Sequence, residues 1–299
     1  MRCLALFGLL SVLVAQPALA TSSPGLSGLE QQLSRLVATT PGEVGIAALD
    51  LRDGAMVSVN GETPFPMAST VKLAIAATYL SNVDHGRLSL DDMIYGRSAR
   101  SLMNLMITRS DNRAADQLLG SVGGPTAVQQ WLRGTGVTGI RMDRTIAQLL
   151  SARRNLDDLR DSSTPMAMLA FLRKLDGGNL LQPASKAVLL DLMSRCATGT
   201  HRIRALLPAG TRVEDKTGTL TGLTADVGYI TLPDGHKVAL VVFARRGVER
   251  QFAIAAAARR IYDGFANRVT TVTAHLLTGD FLGSGETTPT LIARPILAN

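Results

Sequence analysis

Cysteine and aromatic residues are scarce in this 299-residue sequence, and no long hydrophobic run follows residue 20. The only cysteines are Cys3 and Cys196, and Cys3 lies in an N-terminal segment that we expect to be removed. An internal disulfide is therefore excluded from the mature chain, and Cys196 is expected to be a buried thiol. No apolar run is long enough to span a bilayer, so no stable membrane anchor is expected.

The positive charge of the chain is not concentrated in any one segment. The formal net charge is +7, but the basic residues occur as scattered pairs such as Arg153-Arg154, and only 4% of residues are aromatic. A nucleic-acid surface needs clustered cations and aromatic stacking platforms, so no nucleic-acid partner is expected. The four histidines show no metal-site spacing, and neither a metal nor another cofactor is predicted.

The first twenty residues have the pattern of a secretory signal peptide. Arg2 precedes an apolar run from Leu4 to Ala15, and the segment closes with the small residues of Ala18-Leu19-Ala20. We expect cleavage before Thr21 and a mature protein that is periplasmic or secreted, and a monomer.

The remaining pattern predicts strands at both ends of the chain and helices between them. A helix over 27–38 precedes a hairpin of strands 43–50 and 55–59, strand patterns return at 213–217, 225–232 and 236–244, and a helix over 249–267 follows. This arrangement predicts an α/β (α+β) fold with one antiparallel sheet made from both chain ends. The predicted parts are an α/β subdomain (21–60 and 205–268), an inserted helical subdomain (61–204) and a C-terminal extension (269–299) without assigned function.

Within the helical part, the segment from Pro66 to Lys72 contains a candidate nucleophile and a candidate base. Residues at i and i+3 share a helix face, so Lys72 can reach the Ser69 hydroxyl if a helix begins near Ser69. A lysine acts as a base only when desolvation or nearby positive charge lowers its pKa. The residues that follow Val71 are apolar almost all round, which indicates a buried helix with the Lys72 amine at the edge of the core.

Two further triplets give this pair its weight. Ser110-Asp111-Asn112 follows about forty residues after Ser69, and Lys216-Thr217-Gly218 lies about a hundred residues beyond that. The three motifs in this order are those of class A β-lactamases and penicillin-binding proteins. Over residues 25–268 the chain resembles the class A β-lactamases.

The resemblance implies a role for each matched residue in acyl transfer. Ser69 attacks, Lys72 takes its proton, and Ser110 passes a proton to the leaving nitrogen with Lys216 close by. The backbone N–H groups of Ser69 and Thr219 form the oxyanion hole. The substrate-binding set that the resemblance implies is Asn112 for an acylamide group, Thr217, Gly218 and Thr219 on a strand edge, and Arg202 for the substrate carboxylate. A surface location for Arg202 is the alternative.

The sequence departs from the family in the loop before Thr164-Pro165. Family members have a glutamate there that activates the deacylating water, whereas this chain has Ile146 at the glutamate position and Leu150 at that of an assisting asparagine. No glutamate occurs from residue 144 to residue 161, so Asp157 or Asp158 is the candidate substitute, and Arg144 is expected to pair with Asp161. The stretch between Tyr95 and Ser110 is also shortened, which puts the family's aromatic gate in doubt.

Three functions remain open from the sequence. The chain is a β-lactamase that uses another base or water path, a D,D-peptidase-like enzyme acting on peptidoglycan stem peptides, or a β-lactam-binding protein without turnover. The substrate is accordingly a small β-lactam or a peptidoglycan-like peptide. Because only the acylation residues are in place, deacylation is expected to limit turnover with penicillins.

Overall fold

Both ends of the chain contribute strands to one sheet in the computed structural model, which describes residues 25–277, with side chains through residue 268. The helices are α1 (Ser27–Thr39), α2 (Lys72–Asp84), α3 (Ala99–Thr108), α4 (Asn112–Ser121), α5 (Gly124–Gly134), α6 (Ile146–Ser151), α7 (Pro165–Asp176), α8 (Pro183–Ser194) and α9 (Arg250–Leu277). The strands are β1 (Glu43–Asp50), β2 (Met56–Val59), β3 (Phe65–Pro66), β4 (Met93–Ile94), β5 (Arg97–Ser98), β6 (Ser162–Ser163), β7 (Val213–Leu220), β8 (Leu223–Thr231) and β9 (Lys237–Arg245).

The main sheet is antiparallel with the strand order β2-β1-β9-β8-β7, which leaves β7 as an edge strand. Successive residues of a strand face opposite sides of the sheet. In β9, Val238, Leu240 and Val242 pack with α1 and α9, whereas Val241 and Phe243 pack with the helical part. Both faces are therefore buried, which explains why the central strands are continuous apolar runs.

Most predicted elements are confirmed. The first helix, the hairpin, the three C-terminal strands and the sheet made from both chain ends are present. The prediction of no strand within the helical part is wrong for the described residues, because two pairs of two-residue strands occur there, β3 with β6 and β4 with β5. Such short strands contain too few residues to show an alternating pattern.

The predicted signal peptide and residues 278–299 lie outside the described residues. The last helix continues past Asn267, where its predicted end lay, to Leu277. Cys196 is a free, buried thiol, as predicted. Within residues 25–277 no helix is long and apolar enough to cross a membrane.

Candidate active site

Ser69 lies in a tight turn between the sheet and a buried helix. A 3-10 helix, Ala68–Val71, leads directly into α2, so a helix does begin near Ser69 as predicted. Ala68 has φ = 49°, in the left-handed region that is costly for a residue with a Cβ. The Thr70 hydroxyl stabilises the turn by donating to the Met67 carbonyl at 2.8 Å. Ser69 is half-buried, and no partner hydrogen-bonds its hydroxyl among the described residues.

Lys72 is fully buried at the first position of α2 and meets the second motif. Its Nζ donates to the Ser110 carbonyl at 2.6 Å and to Asn112 Oδ1 at 2.6 Å, and lies 3.3 Å from Ser110 Oγ. Burial, together with the positive charge of Lys216, lowers the pKa of Lys72 to about 7. The amine is therefore close to half neutral at neutral pH, which is the state in which it can act as a base.

Ser110 stands between the two lysines in the break between α3 and α4. Its backbone is left-handed, with φ = 56°, and Asp111 caps α4 by accepting from the Ala114 N–H at 2.7 Å. Lys216 Nζ lies 3.0 Å from the same Ser110 Oγ that Lys72 Nζ approaches at 3.3 Å. The Ser110 hydroxyl thus connects the two amines, and the three motifs that are far apart in sequence meet at one oxygen.

The edge strand β7 supplies the third motif. Lys216 is fully buried, and its Nζ also donates to the Thr217 carbonyl at 3.0 Å. Desolvation lowers the pKa of Lys216 to about 8. The Thr217 hydroxyl is 2.5 Å from that of Thr198, whereas Thr219 is exposed at the strand edge.

Gly218 is required by protein packing beneath the site. A Cβ at this position would lie 2.8 Å from the Met67 carbonyl oxygen and 3.2 Å from Ala68 Cβ. The turn that carries Ser69 therefore rests directly on β7, and only glycine permits this approach. The resemblance implied a substrate-binding place for Gly218, and this packing role was not predicted from the sequence.

Arg202 is buried, with only 6% of its surface exposed, so the surface alternative is wrong. Its guanidinium donates to the carbonyls of Gly218 and Ala225 at 3.0 and 2.9 Å and to the Thr219 hydroxyl at 2.6 Å. Arg202 therefore places a cation directly behind the exposed edge at Thr219. Burial lowers its pKa.

Two buried carboxyl groups below this edge were missed by the sequence analysis. Asp215 accepts from Arg204 Nε at 3.0 Å, and Asp226 on the paired strand β8 accepts from the Ile203 N–H at 3.3 Å. Desolvation raises the pKa of both, and the neighbouring Asp215 raises that of Asp226 further. The available signal for Asp226 was a charged residue at a strand position between the apolar Ala225 and Val227, whereas Asp215 lies between Glu214 and Lys216 and showed no such signal.

The loop before α7 contains the short helix α6, which the sequence did not predict. Its first N–H groups, on Ile146 and Ala147, donate to the two oxygens of Asp116 from α4 at 2.7 and 2.9 Å. Ile146 is buried in the apolar core, while Leu150 is 47% exposed. The resemblance places the family glutamate at Ile146, and this chain has an apolar core residue there.

The two proposed substitutes for the glutamate are both held by arginines. Asp157 pairs with Arg246 at 2.6 Å, and Asp158 pairs with Arg160 at 2.8 Å and with Arg144 at 3.3 Å. Hydrogen bonding by Arg160 lowers the pKa of Asp158 to about 2, which makes it a very weak base. The predicted pair of Arg144 with Asp161 is present at 2.5 Å.

A cavity of about 560 Å³ opens beside Asn112. Tyr95, at the tip of the β4–β5 hairpin, borders one side and Leu150 of α6 borders another. Tyr95 is 83% exposed and has φ = 48°. The shortened stretch after Tyr95 therefore leaves an aromatic residue at the mouth of this cavity. The remaining lining residues are Arg113, Asp116, Gln117 and Ala147.

No group of three or more metal-ligating side chains occurs among residues 25–268. Ser69, Lys72, Ser110 and Lys216 come from three separate segments, because Ser69 and Lys72 lie three residues apart where the 3-10 helix runs into α2. The arrangement provides a half-buried hydroxyl at Ser69, an amine of lowered pKa at Lys72 one helical turn further along the chain, and a second hydroxyl, that of Ser110, in contact with two amines. These are the parts required for acyl transfer to serine.

Comparison with known proteins identifies relatives over most of the chain. The sequence profile described as "Beta-lactamase enzyme family" matches residues 28–265. The carbapenem-hydrolyzing β-lactamase KPC of Klebsiella oxytoca is 33% identical over 248 residues, which cover 75% of this chain and 84% of that protein. The β-lactamase L2 of Stenotrophomonas maltophilia is 36% identical over 197 residues, which cover 60% and 64% of the two chains.

Solved structures show the same fold. The class A β-lactamase reconstructed as the last common ancestor of Gram-negative bacteria (GNCA4) superposes with a TM-score of 0.75 at 36% identity, covering 80% of this chain and 100% of that one. A β-lactamase from Chitinophaga pinensis gives a TM-score of 0.75 at 31% identity, with coverages of 80% and 100%. The chain therefore belongs to the β-lactamase enzyme family and is a member of its class A.

Proposed function

We propose that this protein is a serine hydrolase that opens β-lactam rings through an acyl-enzyme on Ser69. The observation that carries the proposal is the shared contact at Ser110 Oγ, which lies 3.3 Å from Lys72 Nζ and 3.0 Å from Lys216 Nζ. A proton taken from Ser69 by Lys72 has a short route through Ser110 to a departing nitrogen. Membership of class A and the names of the relatives support β-lactams as the substrates.

Substrate binding uses the edge of β7 and the start of α4. The N–H groups of Ser69 and Thr219 stabilise the oxyanion that forms during acylation. Lys216, Thr217 and the buried cation of Arg202 attract the substrate carboxylate toward Thr219, and Gly218 keeps the nucleophile turn against the strand. The Asn112 amide, whose Oδ1 already accepts from Lys72, has its Nδ2 available for an acylamide carbonyl.

Deacylation is the slow step in this proposal. Water must be held and deprotonated for the Ser69 ester to be hydrolysed at a useful rate, and a positioned base typically contributes about 10²–10⁴-fold. Ile146 and Leu150 have no group that can do this. The acyl-enzyme is therefore expected to accumulate in the steady state with penicillins. The D,D-peptidase and non-turnover alternatives are not favoured, because the relatives are β-lactamases over most of the chain.

Covalent labelling tests the nucleophile. Penicillin is expected to add its mass to a peptide that contains Ser69, and Ser69→Ala is expected to abolish both the adduct and hydrolysis. Ser194→Ala, at the end of α8, is the matched control and keeps both. Intact-protein mass spectrometry measures the adduct, and an adduct that persists in Ser69→Ala would contradict the assignment.

Export is a separate proposal that rests on the sequence pattern of residues 1–20. The mature protein in a periplasmic or culture fraction is expected to begin near Thr21 and to be a monomer. N-terminal sequencing of the secreted protein measures the cleavage point, and an intact Met1 on the purified periplasmic protein would exclude cleavage.

A further inference from the structure

The missing glutamate raises the question of which group deprotonates the deacylating water. The carboxylates of the loop between Arg144 and Ser162 are all engaged by arginines. Asp157 pairs with Arg245 and Arg246, Asp158 pairs with Arg144 and Arg160, and Asp161 pairs with Arg144. Hydrogen bonding by Arg160 lowers the pKa of Asp158 to about 2, and the ion pairs of Asp157 and Asp161 direct their oxygens toward guanidinium groups rather than toward a water. None of the three carboxylates is therefore assigned the role of the base.

The carboxylates of α4 are also occupied. Asp111 caps its own helix through the Ala114 N–H, and both oxygens of Asp116 accept backbone N–H groups from the first turn of α6. These carboxylate oxygens are therefore already held by backbone donors, and they are not free to hold and orient a water. Asp111 and Asp116 still act on Lys72 through their charge, which opposes the effect of Lys216. No carboxylate among the described residues forms an ion pair with Lys72.

The hydrogen bonds around Lys72 can all be made by a neutral amine. A neutral lysine has two N–H donors and one lone pair, whereas the ammonium has three donors. Two short bonds of 2.6 Å lead to the carbonyl of Ser110 and to Asn112 Oδ1, which can only accept. The third neighbour, Ser110 Oγ, is a hydroxyl that can donate to the lone pair. Burial and Lys216 together favour the neutral state.

We propose that Lys72 serves as the general base in both half-reactions, and so replaces the absent loop glutamate in deacylation. This inference rests on the proposed acyl-enzyme at Ser69. After the leaving nitrogen has received its proton through Ser110, Lys72 is neutral again. Its Nζ takes a proton from water as the water oxygen bonds to the ester carbonyl carbon. The bond from that carbon to Ser69 Oγ then breaks, and the proton passes from Nζ to Ser69 Oγ.

The decay of a preformed acyl-enzyme isolates this step. The adduct is formed with penicillin at about pH 8, transferred to buffers between about pH 5 and pH 9, and followed by intact-protein mass spectrometry. Because only neutral Lys72 can accept a proton, the decay rate is expected to fall about tenfold per pH unit below a midpoint near 7. A carboxylate base of low pKa would be ionised throughout the range from about pH 5.5 to about pH 8.5, and the decay rate would then be constant. A constant decay rate over this range would therefore overturn the inference.

Substitutions distinguish Lys72 from the carboxylates. Lys216→Ala removes the positive charge beside Lys72, so the midpoint is expected to move to higher pH. An unchanged or lower midpoint would contradict the inference. Asp157→Asn and Asp158→Asn are the matched controls and are expected to keep both the rate and the midpoint. If Asp116→Asn removed the pH dependence while the adduct still formed, Asp116 would be the base instead.

The same measurement separates two kinds of failure. If penicillin forms no adduct at Ser69, the proposed function itself is wrong. If the adduct forms and its decay is independent of the ionisation of Lys72, only the role of Lys72 in deacylation is wrong.

Discussion

Lys72 and Lys216 are two buried amines that contact a single serine, which is a costly arrangement. Burial disfavours the ammonium form of both lysines, and the positive charge of Lys216 disfavours that of Lys72 further. Lys72 reaches the Ser110 carbonyl and Asn112, and Lys216 reaches the Thr217 carbonyl, without an ion pair to either amine among the described residues. The site therefore carries a cost in stability, and the same burial lowers the pKa of Lys72, the proposed base.

Replacement of Lys72 by methionine is expected to stabilise the fold, with a gain that depends on pH. The folded-state pKa of Lys72, about 7, lies below the unfolded value of about 10.4, so between these values the unfolded chain binds more protons. The cost of the buried lysine is therefore greatest below pH 7 and disappears as pH rises toward the unfolded pKa. Thermal unfolding of Lys72→Met should show a larger rise in Tm at about pH 6 than at about pH 9.

Lys186→Met is the control for this measurement, because Lys186 is only partly buried and its Nζ donates to the Asp176 carbonyl at 2.6 Å near the end of α7. No comparable pH-dependent gain is expected there. If the Tm of Lys72→Met were equal to or lower than that of the unsubstituted protein at both pH values, the hydrogen bonds of Lys72 would stabilise the fold by at least as much as its desolvation destabilises it.

Gly218→Ala is expected to impair acylation while the fold is retained. The new Cβ would lie 2.8 Å from the Met67 carbonyl oxygen, so the turn that carries Ser69 must move. A displacement of the nucleophile by about 1 Å can cost about 10²-fold in rate. Stopped-flow acylation by a chromogenic cephalosporin measures the loss, and circular dichroism checks the fold. Gly120→Ala, in α4 with open space around it, is the control that should acylate normally.

At the scale of elements, α4 positions both the active site and the loop opposite it. Its N-terminus carries Asn112 beside Lys72, and one turn later Asp116 caps α6. The β4–β5 hairpin then brings Tyr95 toward the same region. Three elements that are weak or absent in the sequence pattern thus form the side of the cavity next to Asn112.

Asp116→Ala is expected to destabilise the protein through α6. The substitution leaves the N–H groups of Ile146 and Ala147 without their acceptors, and the loss of a helix cap costs about 1–2 kcal/mol. Urea unfolding measures the change. Asp91→Ala, whose carboxylate is 80% exposed, should change the stability by less than about 0.5 kcal/mol. Equal effects of the two substitutions would rule out the capping role.

Tyr95→Ala tests whether the hairpin contacts the side chain of the substrate. The ring borders a cavity of about 560 Å³ beside Asn112 and makes no contact that would require it there for folding. For benzylpenicillin, whose side chain is aromatic, kcat/KM is expected to fall about 3- to 10-fold, as for the loss of one aromatic contact. For 6-aminopenicillanic acid, which lacks the acyl side chain, kcat/KM should not change. An equal loss for both substrates would mean that Tyr95 acts on the catalytic residues instead.

At the scale of the whole molecule, the interleaved chain order couples the sheet to the helical part. β1 pairs with β9 along its full length, so the first and last strands must both be present before the sheet is complete. The apolar face of the sheet that includes Val241 and Phe243 packs directly on the helices. The helical part therefore shares its core with one face of the sheet, while α1 and α9 form a second core on the other face.

Unfolding is therefore expected to be a single cooperative transition. Trp131, the only tryptophan, lies in α5 of the helical part, so its fluorescence reports on that part alone. Its urea transition should coincide with the far-UV circular dichroism transition, which follows all helices and strands. Separate midpoints for the two signals would show that the helical part unfolds independently of the sheet.

The sequence alone determined the elements and the chemistry that depend on local pattern. Alternating and continuous apolar runs predicted the hairpin and the last three strands, and three short motifs predicted Ser69, Lys72, Ser110 and Lys216. These are properties of neighbouring residues, since the period of a strand and the i, i+3 spacing of a helix can be read over a few positions. The absence of a loop glutamate was visible in the same way.

Only the tertiary structure decided the relations between distant segments. That Ser110 Oγ lies between two lysines, that Arg202 is buried behind Thr219, and that Asp157 and Asp158 are held by arginines all depend on chain segments far apart in sequence. Gly218 is explained by the packing of a turn about 150 residues earlier in the chain. Burial and charge proximity, which set the pKa of Lys72, arise only when these segments pack together, because the electrostatic environment of a side chain is set by its neighbours in space.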